Sequence, residues 1–264
     1  MSNLYDYYLT HINAMSGYRA NWEPAKPIKI GDIGILENGV FTTITQFSEN
    51  EIKLDIATTE NTSDLNYTSS DNVTISVKAE GEAPVAGSTL TNADAGFSIE
   101  FKKGEAIVFQ VSGYKTIQIR NILDVQKLVL EKSKSGEWVK DWYIITEMLE
   151  AENATIIISN SGNFMLDLKA KAAASAGDLK LTNASLGLQV VRDKGSSLNF
   201  IGRQGITPMY RVMGLTNPLF GKKRLETREL SAFDEEQPEE LTFEVQDFDT
   251  GELSDDDGVN EDEL

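Results

Sequence analysis

The chain has 264 residues and a mass of 29.2 kDa, enough for one large domain or two small ones, and 40% of its residues are hydrophobic. It has no cysteine, which excludes disulfides, a thiolate nucleophile and a cysteine-ligated zinc site. The formal net charge is −18, but 15 of the 42 acidic residues lie in 232–264, where no Lys or Arg occurs. The other 27 acidic residues stand against 24 basic ones, so the preceding chain carries only about −3 and has no basic, aromatic face for nucleic acid.

The N-terminal segment predicts an amphipathic helix. Leu4, Tyr8 and Ile12 recur at helical spacing, Asn3 is a suitable N-cap, and Gly17 a suitable stop. No basic stretch followed by an apolar run precedes it, so we expect no signal peptide. Because there is no cysteine either, a cytoplasmic location is expected.

Alternating apolar residues predict a long β-rich stretch after the helix. The alternating sets are Ile52, Leu54 and Ile56; Val73, Ile75, Val77 and Ala79; Phe97, Ile99 and Phe101; and Ile107, Phe109 and Val111. The polar segment 58–72, rich in Ser, Thr and Asn, is expected to be a loop.

One helix is expected to interrupt the strands. Apolar residues within 116–135 lie near one helical face, and Gly136 is placed to end the helix. The residues assigned to that face are Ile119, Ile122, Leu123, Val129 and Leu130. After it, Trp138 and Trp142 lead a buried strand, and a second strand starts near Ala154.

The segment Phe164–Val190 predicts a long amphipathic hairpin. Phe164, Leu166 and Leu168 share one strand face, and Asp167, Lys169 and Lys171 share the other. On the returning strand Leu186 and Leu188 have the opposite parity to Leu179 and Leu181, which requires a bulge near Thr182–Asn183. This period is typical of a half-buried strand in a soluble sheet, and also of a transmembrane β-strand of roughly 9–11 residues.

These elements predict an α+β fold, in which a twisted, mainly antiparallel sheet with long amphipathic hairpins packs one or two helices. The expected division is a body over 1–220 and a tail over 221–264. The tail begins with the basic residues Lys222, Lys223 and Arg224, and then turns acidic. It contains one apolar island, Leu241, Phe243, Val245 and Phe248, which is either a docking strand or part of a solvated, largely disordered tail.

Residues suited to catalysis are scarce, so we expect no enzyme. The single histidine, His11, lies on the N-terminal helix, where a packed or surface role is expected. No nucleophile elbow, phosphate loop or Ser-x-x-Lys motif occurs. The acidic stretch around Gly251 and Gly258 does not fit the EF-hand spacing. We therefore expect no metal and no cofactor.

The order of the elements resembles the pore-forming domain of the gasdermins, over about residues 70–215. In that family an amphipathic hairpin region precedes a helix, a strand with a VYVVTE-like signature follows, and a second hairpin region leads to a strand with an FR signature. Here Trp142–Glu152, WYIITEMLEAE, matches the first signature, and Met209–Val212, MYRV, matches the second. The short tail is similar to the inhibitory segment of bacterial members.

The resemblance implies a cell-death or antiviral-defence effector that proteolysis releases from autoinhibition and that assembles into an oligomeric β-barrel pore. Its implied partners are an activating protease, membrane lipids and further copies of itself, and it would move from cytoplasm to membrane. The membrane-inserting residues implied are Val73, Ile75, Val77, Phe97, Ile99, Phe101, Phe164, Leu166, Leu168, Leu186 and Leu188. The basic residues implied to meet lipid headgroups are Lys102, Lys103, Lys132, Lys134, Lys222, Lys223 and Arg224. The implied cleavage region is Arg224–Leu225, and the apolar island is the inhibitory element.

A second function is compatible with the same sequence. The protein would be a soluble α+β binding or adaptor protein whose acidic tail recruits a basic partner. This alternative accounts for the tail but gives the long hairpins no role. The two functions differ in what a charge at Leu166 or Leu168 should do, since only a pore former loses membrane insertion.

Overall fold

The computed structural model describes residues 4–37, 39–69, 71–102, 104–159, 162–171, 181, 189–192, 197–202, 205–216 and 242–246. In this part the chain is α+β, with half of it in strands that pair antiparallel and with two helices, as the sequence predicts. The helices are α1 (Leu4–Ser16) and α2 (Ile122–Ser135). The strands of the described part are β1 (Arg19–Ala20), β2 (Asp32–Glu37), β3 (Val40–Gln46), β4 (Ile56–Thr58), β5 (Ser63–Thr68), β6 (Val73–Lys78), β7 (Ala95–Phe101), β8 (Ala106–Ile119), β9 (Tyr143–Ala151), β10 (Asn153–Ser159), β11 (Phe164–Ala170), β12 (Gln189–Arg192), β13 (Ser197–Gly202), β14 (Ile206–Thr216) and β15 (Thr242–Val245).

The larger sheet is organised around the long strand β8. Among the described residues it has 11 strands, with the central order β1-β14-β9-β8-β10-β13. The first half of β8 pairs with β10 and β5, and its second half pairs with β9 and β4. The change of partner falls near Gly113, whose φ of 63° is one that glycine adopts without strain. Strand β5 lies within the segment 58–72, so the expectation of a loop there was wrong, because pairing with β8 orders a polar sequence.

The second sheet has 4 strands in the order β12-β11-β7-β6 among the described residues. It joins two regions that are distant in the chain, because β7 pairs with β6 on one side and with β11 on the other. The β11–β12 pairing confirms the first arm of the hairpin predicted after Phe164. A register shift occurs between the pairs of Asp167 and Leu168, whereas the bulge expected at Thr182–Asn183 lies outside the described residues.

The sheets and helices form layers. Helix α1 packs its buried residues Tyr8, Leu9 and Ile12 on one face of β8 and β10, and it ends before Gly17, whose φ is 69°. The second sheet covers the other face of the same strands. Ile107 faces α1 and Val108 faces the second sheet, so this part of the larger sheet is buried on both faces.

Helix α2 ends at Gly136 in the left-handed conformation, as predicted. Its buried face differs from the expected one. Val125 and Val129 are fully buried, Leu123 is 67% exposed, and Ile119 belongs to β8. The prediction shifted the face because it extended the helical pattern into the end of a strand.

Candidate functional site

Nine apolar side chains form three rows across one face of the second sheet. The rows are Val73, Phe101 and Phe164; Ile75, Ile99 and Leu166; and Val77, Phe97 and Leu168. In each row the residues lie directly opposite one another on β6, β7 and β11, where cross-strand side chains are in contact. The first row contains a stacked aromatic pair, with 5.5 Å between the ring centroids of Phe101 and Phe164. We call this surface the apolar grid. It brings together nine of the residues implied to insert into a membrane, whereas Leu186 and Leu188 lie outside the described residues.

The apolar grid is buried against the larger sheet. Its members on β7 and β11 are 0–3% exposed, and the face they meet includes Ala106, Val108 and Ile157. With roughly 1.5–3 kcal/mol for each fully buried large apolar side chain, exposing its five wholly buried members to water would cost on the order of 10 kcal/mol. The grid can therefore leave the core at an acceptable free energy only if another apolar environment receives it.

The opposite face of the second sheet is largely polar and is covered only in part. Its central residue is Asp167 on β11, whose side chain is 0% exposed. The carboxylate accepts hydrogen bonds from Ser98 Oγ on β7 at 2.5 Å and from Ser88 Oγ at 2.8 Å. It also accepts from the backbone N–H and the hydroxyl of Thr89, at 2.6 and 2.8 Å. Burial would raise the pKa of Asp167, but these hydrogen bonds together outweigh it and lower the pKa below the usual range.

The segment that reaches Asp167 belongs to the connection between β6 and β7, and we call residues 88–94 the strap. It also holds Lys78, which is 1% exposed and whose Nζ donates to the carbonyl oxygens of Thr91 and Asp94. The Asp94 carboxylate pairs with Lys169 on β11 and accepts from the backbone N–H and hydroxyl of Thr91. The strap is thus bonded to β6 and β11 and leads directly into β7, and it ties the first hairpin region to the second.

A short strand from the acidic tail is docked on the body. Strand β15 pairs antiparallel with the end of β14, placing Phe243 opposite Leu215 and Val245 opposite Met213. Phe243 is 4% exposed, whereas Val245 is 51% exposed. The apolar island is therefore a docked strand with one buried anchor, and its members Leu241 and Phe248 lie outside the described residues.

The basic residues implied to meet lipid do not form one surface in the described part. Lys132 and Lys134 lie in the last turn of α2, and Lys102 follows β7. Lys132 forms ion pairs with Glu51 at 2.5 Å and Glu137 at 3.2 Å, which raise its pKa. Lys102 and Lys134 are exposed. Lys103, Lys222, Lys223 and Arg224, together with the cleavage region at Arg224–Leu225, lie outside the described residues.

His11 has aromatic neighbours. Its Nε2 is 2.7 Å from the hydroxyl of Tyr67 on β5, and the rings of Tyr7 and Tyr67 lie within 5.4 and 5.1 Å of its own. Partial burial lowers the pKa of His11. This environment is that of a packed side chain joining α1 to β5.

Two polar arrangements were missed in the sequence. The strap contacts of Asp167 and Lys78 form one, and the second joins Tyr18, Glu147 and Arg211. The Arg211 guanidinium lies 4.0 Å from the centre of the Tyr18 ring and donates to Glu147 at 3.1 Å, while Tyr18 donates to the same carboxylate. For the strap contacts, the only sequence signal was the charge at alternate positions of β11. Nothing in the sequence indicated that Asp167 is buried.

An open cavity of about 420 Å³ is lined by residues that include Thr58 of β4, Lys115 of β8, Glu150 of β9 and Glu152. Across the described ranges, no group of three or more acidic or histidine side chains could hold a metal ion. Neither of the two helices described is long and apolar enough to cross a membrane.

No family model matches the chain, and no similar sequence was found among curated proteins.

Proposed function

We infer that the protein is a membrane pore former that its C-terminal tail holds inactive. The observation that supports this most is the apolar grid, in which two distant hairpin regions present one continuous apolar face. Most of the residues that alternate with the grid on these strands are polar, Gly96 and Met165 being the exceptions, and a strand between lipid and a water-filled lumen requires such a polar face. Strands β7 and β11 have 7 residues each, so each must lengthen to about 9–11 residues by recruiting adjacent residues.

The polar face of the same strands supports the proposal further. It carries a buried carboxylate, Asp167, and a buried ammonium, Lys78, on the side opposite the grid. Charged groups are costly in the interior of a soluble protein, even when they are hydrogen-bonded. On the lumen side of a pore the same groups would be hydrated. The arrangement thus suits strands that use two environments.

The proposed activation begins with proteolysis between β14 and β15, where Lys222, Lys223 and Arg224 lie in the sequence. Loss of the following segment, 225–264, removes 17 acidic residues, which anionic headgroups repel, and one arginine. The near-neutral body then approaches the membrane, the strap releases the hairpins, and the apolar grid passes from the core into lipid. Several copies assemble the pore, in a cell-death or defence role.

Dye release from anionic liposomes tests the proposal. The protein carries a specific protease site in place of Lys222–Arg224, and cut and uncut samples are compared. Release only after cutting supports a tail-inhibited pore former. No release from a cut protein that remains folded contradicts it, and the adaptor function then becomes the one to test, by capture of a basic partner on the tail.

Adjacent positions on β6 supply a matched pair of variants. Ile75→Lys places a charge on the apolar grid at a half-buried edge position, and Thr74→Lys places the same charge on the opposite face. A lysine facing lipid costs about 2–4 kcal/mol at the bilayer midplane, so cut Ile75→Lys should release dye at least about tenfold more slowly. Cut Thr74→Lys should behave like the parent. Thermal unfolding of both variants separates an insertion defect from a folding defect.

A further inference from the structure

We propose that the end of β14, with the adjoining part of α2, is a peptide-binding groove. Its ligand is an extended peptide that adds as a strand and inserts one aromatic side chain, and in the intact chain the tethered segment 242–246 fills it. The binding site stands on the geometry alone, while its regulatory meaning rests on the function proposed above.

The backbone of the docked segment is held at both ends. Four residue pairs join β15 to β14, from Met213 and Val245 to Thr216 and Thr242. The hydroxyls of Thr216 and Thr242 are 2.9 Å apart at one end. At the other end the N–H of Gln246 donates to the carbonyl oxygen of Val212 at 3.0 Å. This is β-strand addition, in which main-chain hydrogen bonds position an extended peptide at a sheet edge.

Beyond the ladder, a side chain from the body clamps the segment. The Nε of Arg19 donates to the carbonyl oxygen of Gln246 at 3.3 Å. Arg19 lies on β1, which pairs with an earlier part of β14. Strand β1 and the docked segment thus occupy successive parts of the same edge, and Arg19 bridges them. The groove therefore has a defined end and a defined register.

One pocket takes the anchor. Phe243 joins a buried cluster that includes Leu215 of β14 and Val125 and Val129 of α2. Glu244, the next residue, is exposed. The expected ligand is an extended segment with an aromatic residue at the position of Phe243 and tolerance for acidic residues on its open side. Specificity should depend on the aromatic position, because it is the one deeply buried side chain of the described segment.

This contact is too small to hold a free peptide firmly. One anchored aromatic ring and a short ladder barely exceed the entropic cost of bringing two molecules together, so we expect a dissociation constant on the order of 0.1 mM or weaker. In the intact chain the 25 residues 217–241 connect Thr216 to Thr242, and a covalent linker of this length gives an effective concentration on the order of 1 mM. The segment stays docked because it is tethered.

Cutting the tether therefore has a direct physical result. The contact becomes bimolecular, and at low micromolar protein the detached tail leaves the groove without any further signal. The vacated groove can then accept another peptide of the same chemistry, and an excess of the tail peptide should refill it. Proteolysis thus removes the high effective concentration of the docked segment at the groove. The contact between β15 and β14 itself need not change.

Fluorescence anisotropy with a labelled peptide of residues 239–250 tests the groove without a membrane. The full chain with the engineered site is used, either uncut or cut and passed through gel filtration. We expect saturable binding to the cut protein and up to about tenfold weaker binding to the uncut protein, whose own segment competes. A peptide with Phe243→Ala should lose binding, and one with Val245→Ala should keep it.

Three results would overturn the groove: equal binding to cut and uncut protein, undiminished binding of the Phe243→Ala peptide, or co-elution of the cut tail with the body at low micromolar concentration.

A fourth measurement tests the effect of the length of the linker 217–241. Inserting 25 Gly/Ser residues into 217–241 doubles its length and should strengthen peptide binding to uncut protein by about threefold. Peptide binding without dye release would support the groove and contradict the pore. Dye release without peptide binding would support the pore and contradict the groove.

Discussion

The Ser98 hydroxyl on β7 donates to the Asp167 carboxylate on β11 at 2.5 Å, and this hydrogen bond joins two hairpin regions that are 69 residues apart in the chain. The same carboxylate accepts from Ser88 and Thr89 of the strap. One buried charge therefore connects both hairpin regions with the segment that covers them. Any rearrangement that separates the two hairpin regions from each other must break this set of bonds.

Asp167→Ala should destabilise the protein more than a surface substitution on the same strands. The buried Ser98 hydroxyl would be left without an acceptor, and Ser88 and the exposed Thr89 would also lose their hydrogen bonds to a charged group. At about 1–3 kcal/mol for the buried donor and less for the other two, we expect the free energy of unfolding to fall by roughly 3 kcal/mol. Glu100→Ala, at an exposed position of β7, is the control and should change it by less than about 0.5 kcal/mol. Urea denaturation measures both. Equal effects would show that the strap contacts contribute nothing.

Phe243→Ala should release the docked tail without proteolysis. Truncating a buried Phe typically costs about 3–5 kcal/mol, which exceeds what the small contact of β15 can lose. Uncut Phe243→Ala protein should therefore bind the labelled tail peptide as the cut parent does. It should also release liposome dye, though more slowly than the cut parent, because its attached acidic tail is still repelled by anionic lipid. Val245→Ala, at an exposed position of the same strand, should remain inhibited. An inhibited Phe243→Ala protein would mean that the tail is held by other residues.

Replacing two glycines by alanine should lower the free energy of unfolding by different amounts. A Cβ at Gly96 would lie 2.0 Å from the carbonyl oxygen of Leu168, so Gly96→Ala must push β7 away from β11. At Gly136 a Cβ would meet nothing within 4 Å, and only the left-handed φ of 79° opposes the change. We expect about 1 kcal/mol for Gly136→Ala, the typical cost of a left-handed non-glycine residue. Gly96→Ala should cost clearly more in chemical denaturation, and a reversed order would contradict the close approach.

Stability should fall as the pH drops below about 6.5, and His11 should be responsible. Partial burial lowers the pKa of the folded His11, so the unfolded chain binds its proton first. The contribution is fully present above the unfolded pKa and is lost as the pH falls towards the folded pKa. His11 is the only histidine, so His11→Gln should remove this slope between pH 7.5 and about 5.5 in thermal unfolding. An unchanged slope would exclude His11 as its cause.

A second loss of stability is expected at lower pH. The pKa of Asp94 lies below its usual range because of hydrogen bonds from Lys169 and Thr91, and that of Asp167 is also lowered. Their contribution is present above the unfolded pKa of about 3.9 and is lost as the pH falls through the folded values. Acid denaturation should therefore begin below about pH 4. Lys169→Met should raise the pKa of the folded Asp94 and so shift the acid transition to higher pH. An identical acid transition in Lys169→Met would contradict the ion pair.

Local alternation was enough to predict which residues form the apolar grid. Alternation along β6, β7 and β11 is local, because successive side chains on a strand point to opposite faces whatever the partner. Gly17 and Gly136 likewise ended their helices where the sequence placed them, since a left-handed residue stops a helix without help from distant contacts. The α+β class followed from the same local patterns.

Which strands pair and which charges are buried could be learned from the folded chain alone. Nothing in the alternation pairs β7 with β11, because register and partner depend on contacts far apart in the chain. From the sequence pattern Asp167 and Lys78 would be expected to face solvent, but in the fold the strap covers them. Lys132 would be expected to be an unpaired cation, but it forms an ion pair with Glu51. The docking of Phe243 needed a pocket formed by α2 and β14. Burial is a property of the assembled layers. Local patterns therefore predict which residues share a face, and the tertiary fold determines what each face contacts.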